Sequence, residues 1–197
     1  MWKPVYASLA EMRDWLRIRE VADTDDDALL GLKLSAASRA VDTSAGRQFG
    51  KVDSAVSRSY EVRWSRTCAA YVVGIDDIMD LTALVLTLDG VVLTTDQYSL
   101  RPRNAIADGM PYTWVEISVS PGEGVLVGLG LWGWNAVPDE VKESTMLQAS
   151  RLNIRRDSPY GIAGGADGGG ELRLLARLDP DIVPLVTGLR RTGWVAR

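Results

Sequence analysis

The sequence predicts an α+β fold in which an N-terminal helical hairpin and later helices pack with a central antiparallel β section. Three observations predict it. Apolar residues recur at three- and four-residue steps between about 8 and 46, the period shortens to two from about Arg58 to Trp134, and a helical start follows at Pro138. With 197 residues, 46% hydrophobic and 24% charged, the chain is expected to bury one good core. That core is a single domain over 1–189, followed by a flexible tail over 190–197.

The first helix is marked by SLAEMRDWLRI. Ser8 precedes Glu11 by three positions, so each side chain can satisfy a free backbone N–H at the helix start. Leu9, Met12, Leu16 and Trp15 then form its apolar face. In the following ADTDDDALLGLKLSAASRAVDTSAG, Thr24 can cap a second helix. Asp25, Asp26 and Asp27 complement the positive end of its dipole, by about 0.3–1 kcal/mol each. Leu30, Leu34, Ala37, Val41 and Ala45 make one stripe, Ala36, Ala40 and Ser44 keep the next one small, and Gly46 ends the helix. The acid run lacks the glycine and the distant glutamate of a calcium loop, so no metal is assigned to it.

The β section, 58–134, contains YEVRW, AYVVGI, TALVLTLDGVVLTT, TWVEISV and GVLVGLGLW, all rich in β-branched or aromatic residues. Asp89-Gly90 lies between apolar runs, and both residues tolerate the positive backbone angles of a tight primed turn. RPRNAIADGMP reads as an exposed loop. Asp76, Asp77 and Asp80 resemble an acid/base group, but no partner sets their roles and a strand entrance explains them. The section closes on LWGWNAVPDEVKE. Trp132 and Trp134 share one face of a strand end, where one is expected to cap the core and the other to meet a neighbouring subunit.

A helix over 138–156 follows, with Pro138 in a favoured first-turn position and Asp139 and Glu140 complementing its dipole. Val141, Thr145, Met146, Leu147 and Leu152 supply its apolar faces. Arg151, Arg155 and Arg156 stand near its far end, where they either suit the negative terminus or meet a partner's carboxylates. The glycine loop 161–170 lacks the Lys-Ser/Thr pair of a phosphate-binding loop. The remainder is a C-terminal helical segment, 171–189, whose stretch from Leu172 to Leu178 is helical or extended and breaks at Asp179-Pro180. The terminal residues Arg190, Arg191, Trp194 and Arg197 combine types enriched at interface hot spots with too little apolar content to fold alone.

Composition excludes several classes. A net charge of -4 does not suit a protein that grips nucleic acid through a strongly basic face. The absence of His removes the usual general base and the commonest metal ligand. Cys68 has no second thiol, fits a reducing compartment and is expected to be buried packing. The start lacks the pattern of a signal segment, and no run approaches the roughly 20 apolar residues that span a bilayer. No catalytic residue, cofactor or metal is assigned.

The order of three pieces carries a resemblance. LAEMRDWLRI followed by acids and DDALLGLKLSAASRAVDTSAGRQF resembles the opening helices of head-tail connector proteins (adaptor, or head completion, proteins) of long-tailed bacteriophages. LWGWNAVPDEVKESTMLQASRLNIRRDSPYGIAGG, with RLDPDIVPLVTGLRR after it, is similar to the closing half of that family in phages of actinobacteria. The resemblance implies a structural virion protein at the head-tail junction, present in the host cytoplasm during assembly, with no enzyme activity or cofactor. It implies a dodecameric ring of copies under the portal protein that extends the DNA channel and docks a stopper or tail-completion protein. DNA would pass without specific binding, which an acidic wall favours. Arg190, Arg191, Trp194 and Arg197 become the candidate portal-binding tail. Asp25, Asp26 and Asp27 become candidate partners, across a head-to-tail subunit interface, for Arg151, Arg155 and Arg156, and Trp132 and Trp134 are further interface candidates. The alternative is a tail-end or minor capsid interaction module that forms no ring.

Overall fold

In the computed structural model, the described residues are 3–18, 26–157, 162–163, 172–173 and 178–191. Helices and a large antiparallel sheet are both present, so the fold is α+β as the periodicity requires. The stretch expected to form one domain divides into two compact units, a helical one from Met1–Phe49 and Val137–Arg191 and a β one around Gly50–Ala136.

The helical unit contains α1 (Leu9–Trp15), α2 (Asp27–Ala45), α3 (Asp139–Asp157) and α4 (Ile182–Thr187). Ser8 and Glu11 form the reciprocal cap: the Glu11 N–H donates to Ser8 Oγ at 3.2 Å and the Ser8 N–H to Glu11 Oε2 at 2.7 Å. Met12 is fully buried against Leu34, Ala37 and Ala149, with Leu16 packed beside them. Trp15, expected on that face, is exposed. Met12 and Leu16, four residues apart on one line of the helix, occupy the contact without it. The N-cap of α2 is Asp26, in helical geometry and without a side-chain capping bond; Thr24 and Asp25 lie outside the described residues. The stripe Leu30, Leu34, Ala37, Val41 and Ala45 is buried as its spacing requires. Gly46 ends the helix at φ 66°, a left-handed position that costs glycine nothing, and donates to Asp42 O at 2.8 Å.

On α3 the buried residues are Val141, Ser144, Thr145, Gln148 and Ala149, whereas Met146, Leu147 and Leu152 are half-buried. Small side chains win because α2 and α3 pack together, and Ala37 and Ala149 let the backbones approach. The stretch before α1 is tied to α2. The Tyr6 N–H donates to Ser38 Oγ at 3.2 Å, its hydroxyl donates to Asp42 and accepts from the Phe49 N–H at 2.9 Å, and Arg39 donates to Pro4 O. Burial and the Asp42 carboxylate push the Tyr6 phenol well up.

The β unit contains β1 (Val56–Glu61), β2 (Arg63–Ser65), β3 (Ala70–Leu88), β4 (Val91–Val92), β5 (Tyr98–Arg101), β6 (Tyr112–Ile117) and β7 (Val125–Trp132). They form an antiparallel sheet in the order β1-β7-β3-β6-β5, with β2 and β4 also pairing with β3. Strand β3 spans two neighbourhoods. Its first part pairs with β6, from Tyr71↔Ile117 to Gly74↔Trp114, and its last with β7, from Val85↔Leu129 to Leu88↔Leu126. The β7 pairing opens at Ile78↔Trp132 and Asp80↔Leu131, with a register shift on each side of Asp80. Asp89 and Gly90 turn the chain into β4 with φ 48° and 84°, the primed geometry their identity predicts. The loop after β5 is not wholly exposed, because Ala105 is buried. Cys68, expected inside, is exposed on the β2–β3 turn.

Two short strands, β8 (Ile162–Ala163) and β9 (Leu172–Arg173), pair with each other. The segment expected to be helical over 171–189 therefore opens as strand, and its described helix begins only at Ile182.

Candidate assembly surfaces

The tryptophan pair at the end of β7 explains the glycines before it. Leu126, Gly128, Gly130 and Trp132 alternate on the buried face of the strand. A Cβ on Gly128 would lie 3.0 Å from two ring carbons of Trp132, and one on Gly130 3.1 Å from Ile78 Cδ1. The glycines make room for the indole. Its Nε1–H donates to Val56 O at 2.7 Å, Tyr60 meets its ring edge-on at 5.8 Å, and the Arg58 guanidinium stands 5.5 Å from its centroid.

Gly133, at φ 119°, takes a conformation L side chains rarely adopt, and a Cβ there would fall 1.8 Å from Gly50 O. The backbone crosses itself at this point. Gly50 O accepts from the Trp134 N–H at 2.9 Å, Trp132 O from the Val52 N–H at 3.0 Å, and Asp77 O from the Gly133 N–H at 2.6 Å. Trp134 is buried too, with Nε1–H donating to Asp77 Oδ2 at 3.0 Å. Both tryptophans are buried in the interior of the β unit, the place expected of one of them. Each indole N–H has an internal acceptor, so neither ring needs a partner outside.

The acids of β3 are absorbed in the same way, within the strand rather than at its entrance. Asp76 pairs with Arg58 at 2.6 Å and accepts from the Tyr60 hydroxyl at 2.9 Å. Burial and the Asp76 charge push the Tyr60 phenol up. Asp80 accepts from the Thr82 hydroxyl at 2.6 Å and from Lys51 at 2.9 Å, and these bonds lower its pKa to about 2. Each carboxylate is placed by structural neighbours. Among the described residues no group of three or more His, Cys, Asp or Glu could hold a metal ion, and no helix is long and apolar enough to cross a membrane.

Of the charges expected to pair across subunits, two are engaged at home. Asp27 accepts from Arg13 at 2.7 Å, and Arg151 donates to Asp179 at 3.0 Å. The Asp179 N–H in turn donates to Gln148 Oε1 at 3.0 Å. Arg151 and Gln148 of α3 therefore hold the turn that begins α4. Asp26 is the N-cap of α2 and Arg155 is half-buried on α3. Asp25 and the side chain of Arg156 lie outside the described residues.

Of the expected tail, Arg190 and Arg191 are described. The Arg191 N–H donates to Ala45 O at 2.9 Å, satisfying a carbonyl that the end of α2 leaves without a helical donor, and the Arg190 N–H donates to Thr187 O at 3.3 Å. These two arginines belong to the helical unit. Trp194 and Arg197, and the glycines 164–170, lie outside the described residues.

One surface escapes a reading by residue type. The other side of β7 carries Val125, Val127, Leu129 and Leu131, none of them buried, and its register places Val85 of β3 opposite Leu129. The signal was present in VLVGLGLW: an antiparallel strand that is apolar on both sides is one whose second side can be covered as well.

No family model and no curated protein matches the sequence. Among solved structures, the chain is similar in fold to a chain of one described as "Neck of empty GTA particle computed with C6 symmetry". The two share 19% identity at a TM-score of 0.58, over 99% of this chain and 95% of that one.

Proposed function

We propose that this chain is a structural neck protein of a phage-like particle, forming a ring that joins the portal vertex to the tail or the next connector ring and extends the DNA channel. The observation that carries the reading is the likeness in fold to the neck chain, which runs through nearly the whole length of both proteins. The neighbour belongs to a GTA, a phage-like gene transfer agent. Sixfold symmetry is contained in a dodecameric ring, the state the sequence resemblance implies. The protein then works by fitting between copies and neighbours rather than by chemistry. Its partners are a portal protein, a stopper or tail-completion protein and further copies of itself, and its place is the virion after assembly in the host cytoplasm.

Asp27, Arg151, Trp132 and Trp134 have partners within the chain, and the proposed docking groups are Arg155 with Arg156 and the tail at Trp194 and Arg197. Localisation in particles tests the reading. A label on the C-terminus, imaged by electron microscopy, should appear as a ring of density between capsid and tail. Its absence from the neck, or infectious tailed progeny after deletion of the gene, would refute it. A label found there as one copy per particle would favour an interaction module without ring formation.

A further inference from the structure

We infer that the outer face of the β1–β7–β3 sheet is a subunit interface, covered in the assembled protein by a second copy of this chain. The inference rests on the ring reading above and adds the surface that would build it. Register defines the face. Across β7, Val125 stands opposite Glu61, Val127 opposite Ser59 and Leu129 opposite Ser57, and on the other side Leu129 stands opposite Val85 and Val127 opposite Thr87. Val92 of β4 continues the row from Thr87. Val85, Val125 and Leu129 are each about 40% exposed and Val92 is 60% exposed; Val127 and Leu131 are half-buried between them.

The composition states what the face fits. The row is aliphatic except for Thr87, between Val127 and Val92, while Ser57, Ser59 and Glu61 border it and the Lys51–Asp80 ion pair stands at the Leu131 end. An apolar centre with a polar rim is the anatomy of a protein interface. The exposed aliphatic surface is on the order of 400 Å², at the upper range of what monomers leave bare. It would supply about half of one partner's share in an interface of ordinary stable size. No cation lies within it to attract phosphate or an acidic peptide. An extended peptide would add to a strand edge, where backbone donors are free, rather than lie on a face. A membrane surface calls for an excess of basic residues around the apolar patch, and here the rim charges balance, Lys51 against Asp80 and Arg63 against Glu61. A face this aliphatic resembles a core cut in half, the composition of interfaces between copies. In a head-to-tail ring it is one of two complementary surfaces.

Photocrosslinking of the purified full chain tests the inference. With p-benzoylphenylalanine at Leu129, irradiation over rising concentration should give a product of doubled mass, and peptide mapping of it would identify the complementary surface. Val85→Lys, on the neighbouring strand, should lower that yield roughly tenfold or more while far-UV circular dichroism and Tm hold. Trp64→Lys, an exposed apolar position on β2 away from this row, should leave the yield unchanged. Absence of a doubled-mass product at every concentration overturns the proposal, and so does equal loss in the two lysine variants. Should Val85→Lys perturb the fold, Val127→Thr, which changes shape little, must still reduce the yield. Failure to find the chain in particle necks would remove the neck reading alone, because the crosslink is read on the isolated protein.

Discussion

At Gly133 the requirement is absolute, because both the backbone angle and the 1.8 Å approach to Gly50 O exclude a side chain. Gly133→Ala should cost about 3 kcal/mol or more in chemical denaturation. Gly188→Ala, at φ -65° with nothing within 4 Å, should cost less than about 1 kcal/mol or gain a little. A Gly133→Ala variant as stable as the wild type would contradict the crossing. Asp89 is a second position where one residue joins distant chain. Besides making its own turn, its carboxylate accepts from the backbone N–H groups of Gly122 at 2.7 Å, Glu123 at 3.1 Å and Val125 at 2.9 Å. The Val125 bond first, and the others after it, hold its pKa below the ordinary carboxylate value. A carboxyl depressed on folding stabilises the protein above its unfolded pKa, near 3.9, and loses that contribution as pH falls through the folded value. The urea midpoint of the wild type should therefore fall below about pH 4, and Asp89→Asn should flatten that limb. Identical acid limbs in the two proteins would show that the carboxylate contributes nothing there. The turn itself was legible in the dipeptide. The three distant N–H donors were not, since they are brought up by pairing of β3 with β7.

Among the elements, α1 and α2 are the most predictable, because a cap at Ser8, a stripe from Leu30 to Ala45 and a stop at Gly46 are local instructions. Ser8→Ala should lower stability by about 1 kcal/mol in thermal or urea unfolding, and no change would mean the cap is redundant. Element α3 was read less well. Its arginines stand at the helix end as the sequence shows, but Arg151 is drawn to Asp179, 28 positions away, and helps Gln148 fix the start of α4. With both side chains mostly shielded from water, Arg151→Glu should destabilise the protein by about 1–3 kcal/mol, through lost pairing and like-charge repulsion. An Asp179→Arg second change should recover part of it. If charge reversal altered assembly and left Tm alone, Arg151 would belong to an interface after all. The apolar face of α3 is legible only in part for a related reason. Val141 and Thr145 are buried as their spacing predicts, but helical spacing marks several faces, and only the approach of α2 selects the one that adds Ala149 and leaves Leu147 and Leu152 half-buried.

Two compact units within one chain carry a prediction for the whole molecule. The β unit closes on itself, with Gly50 bonded to Trp134 and Val52 to Trp132, so its ends are joined by its own ladder. Residues 50–136 expressed alone should therefore fold, giving a cooperative thermal transition and dispersed amide resonances. A collapsed, non-cooperative product would show that the β unit depends on the rest of the chain. The α+β class, the positions of the first three helices, the β section and the Asp89-Gly90 hairpin were fixed by composition, period and turn chemistry, all of which act within a few residues. The glycine-spaced approach to two tryptophans was visible as a pattern, though its purpose was not. Tertiary structure alone decided that both indoles turn inward, that Asp27 and Arg151 find partners within the same chain, and that Arg190 and Arg191 belong to the helical unit. It also decided which side of β7 stays bare. Local preferences act along the chain, whereas burial and charge pairing depend on what distant residues bring alongside, and that is settled only once strands and helices have met.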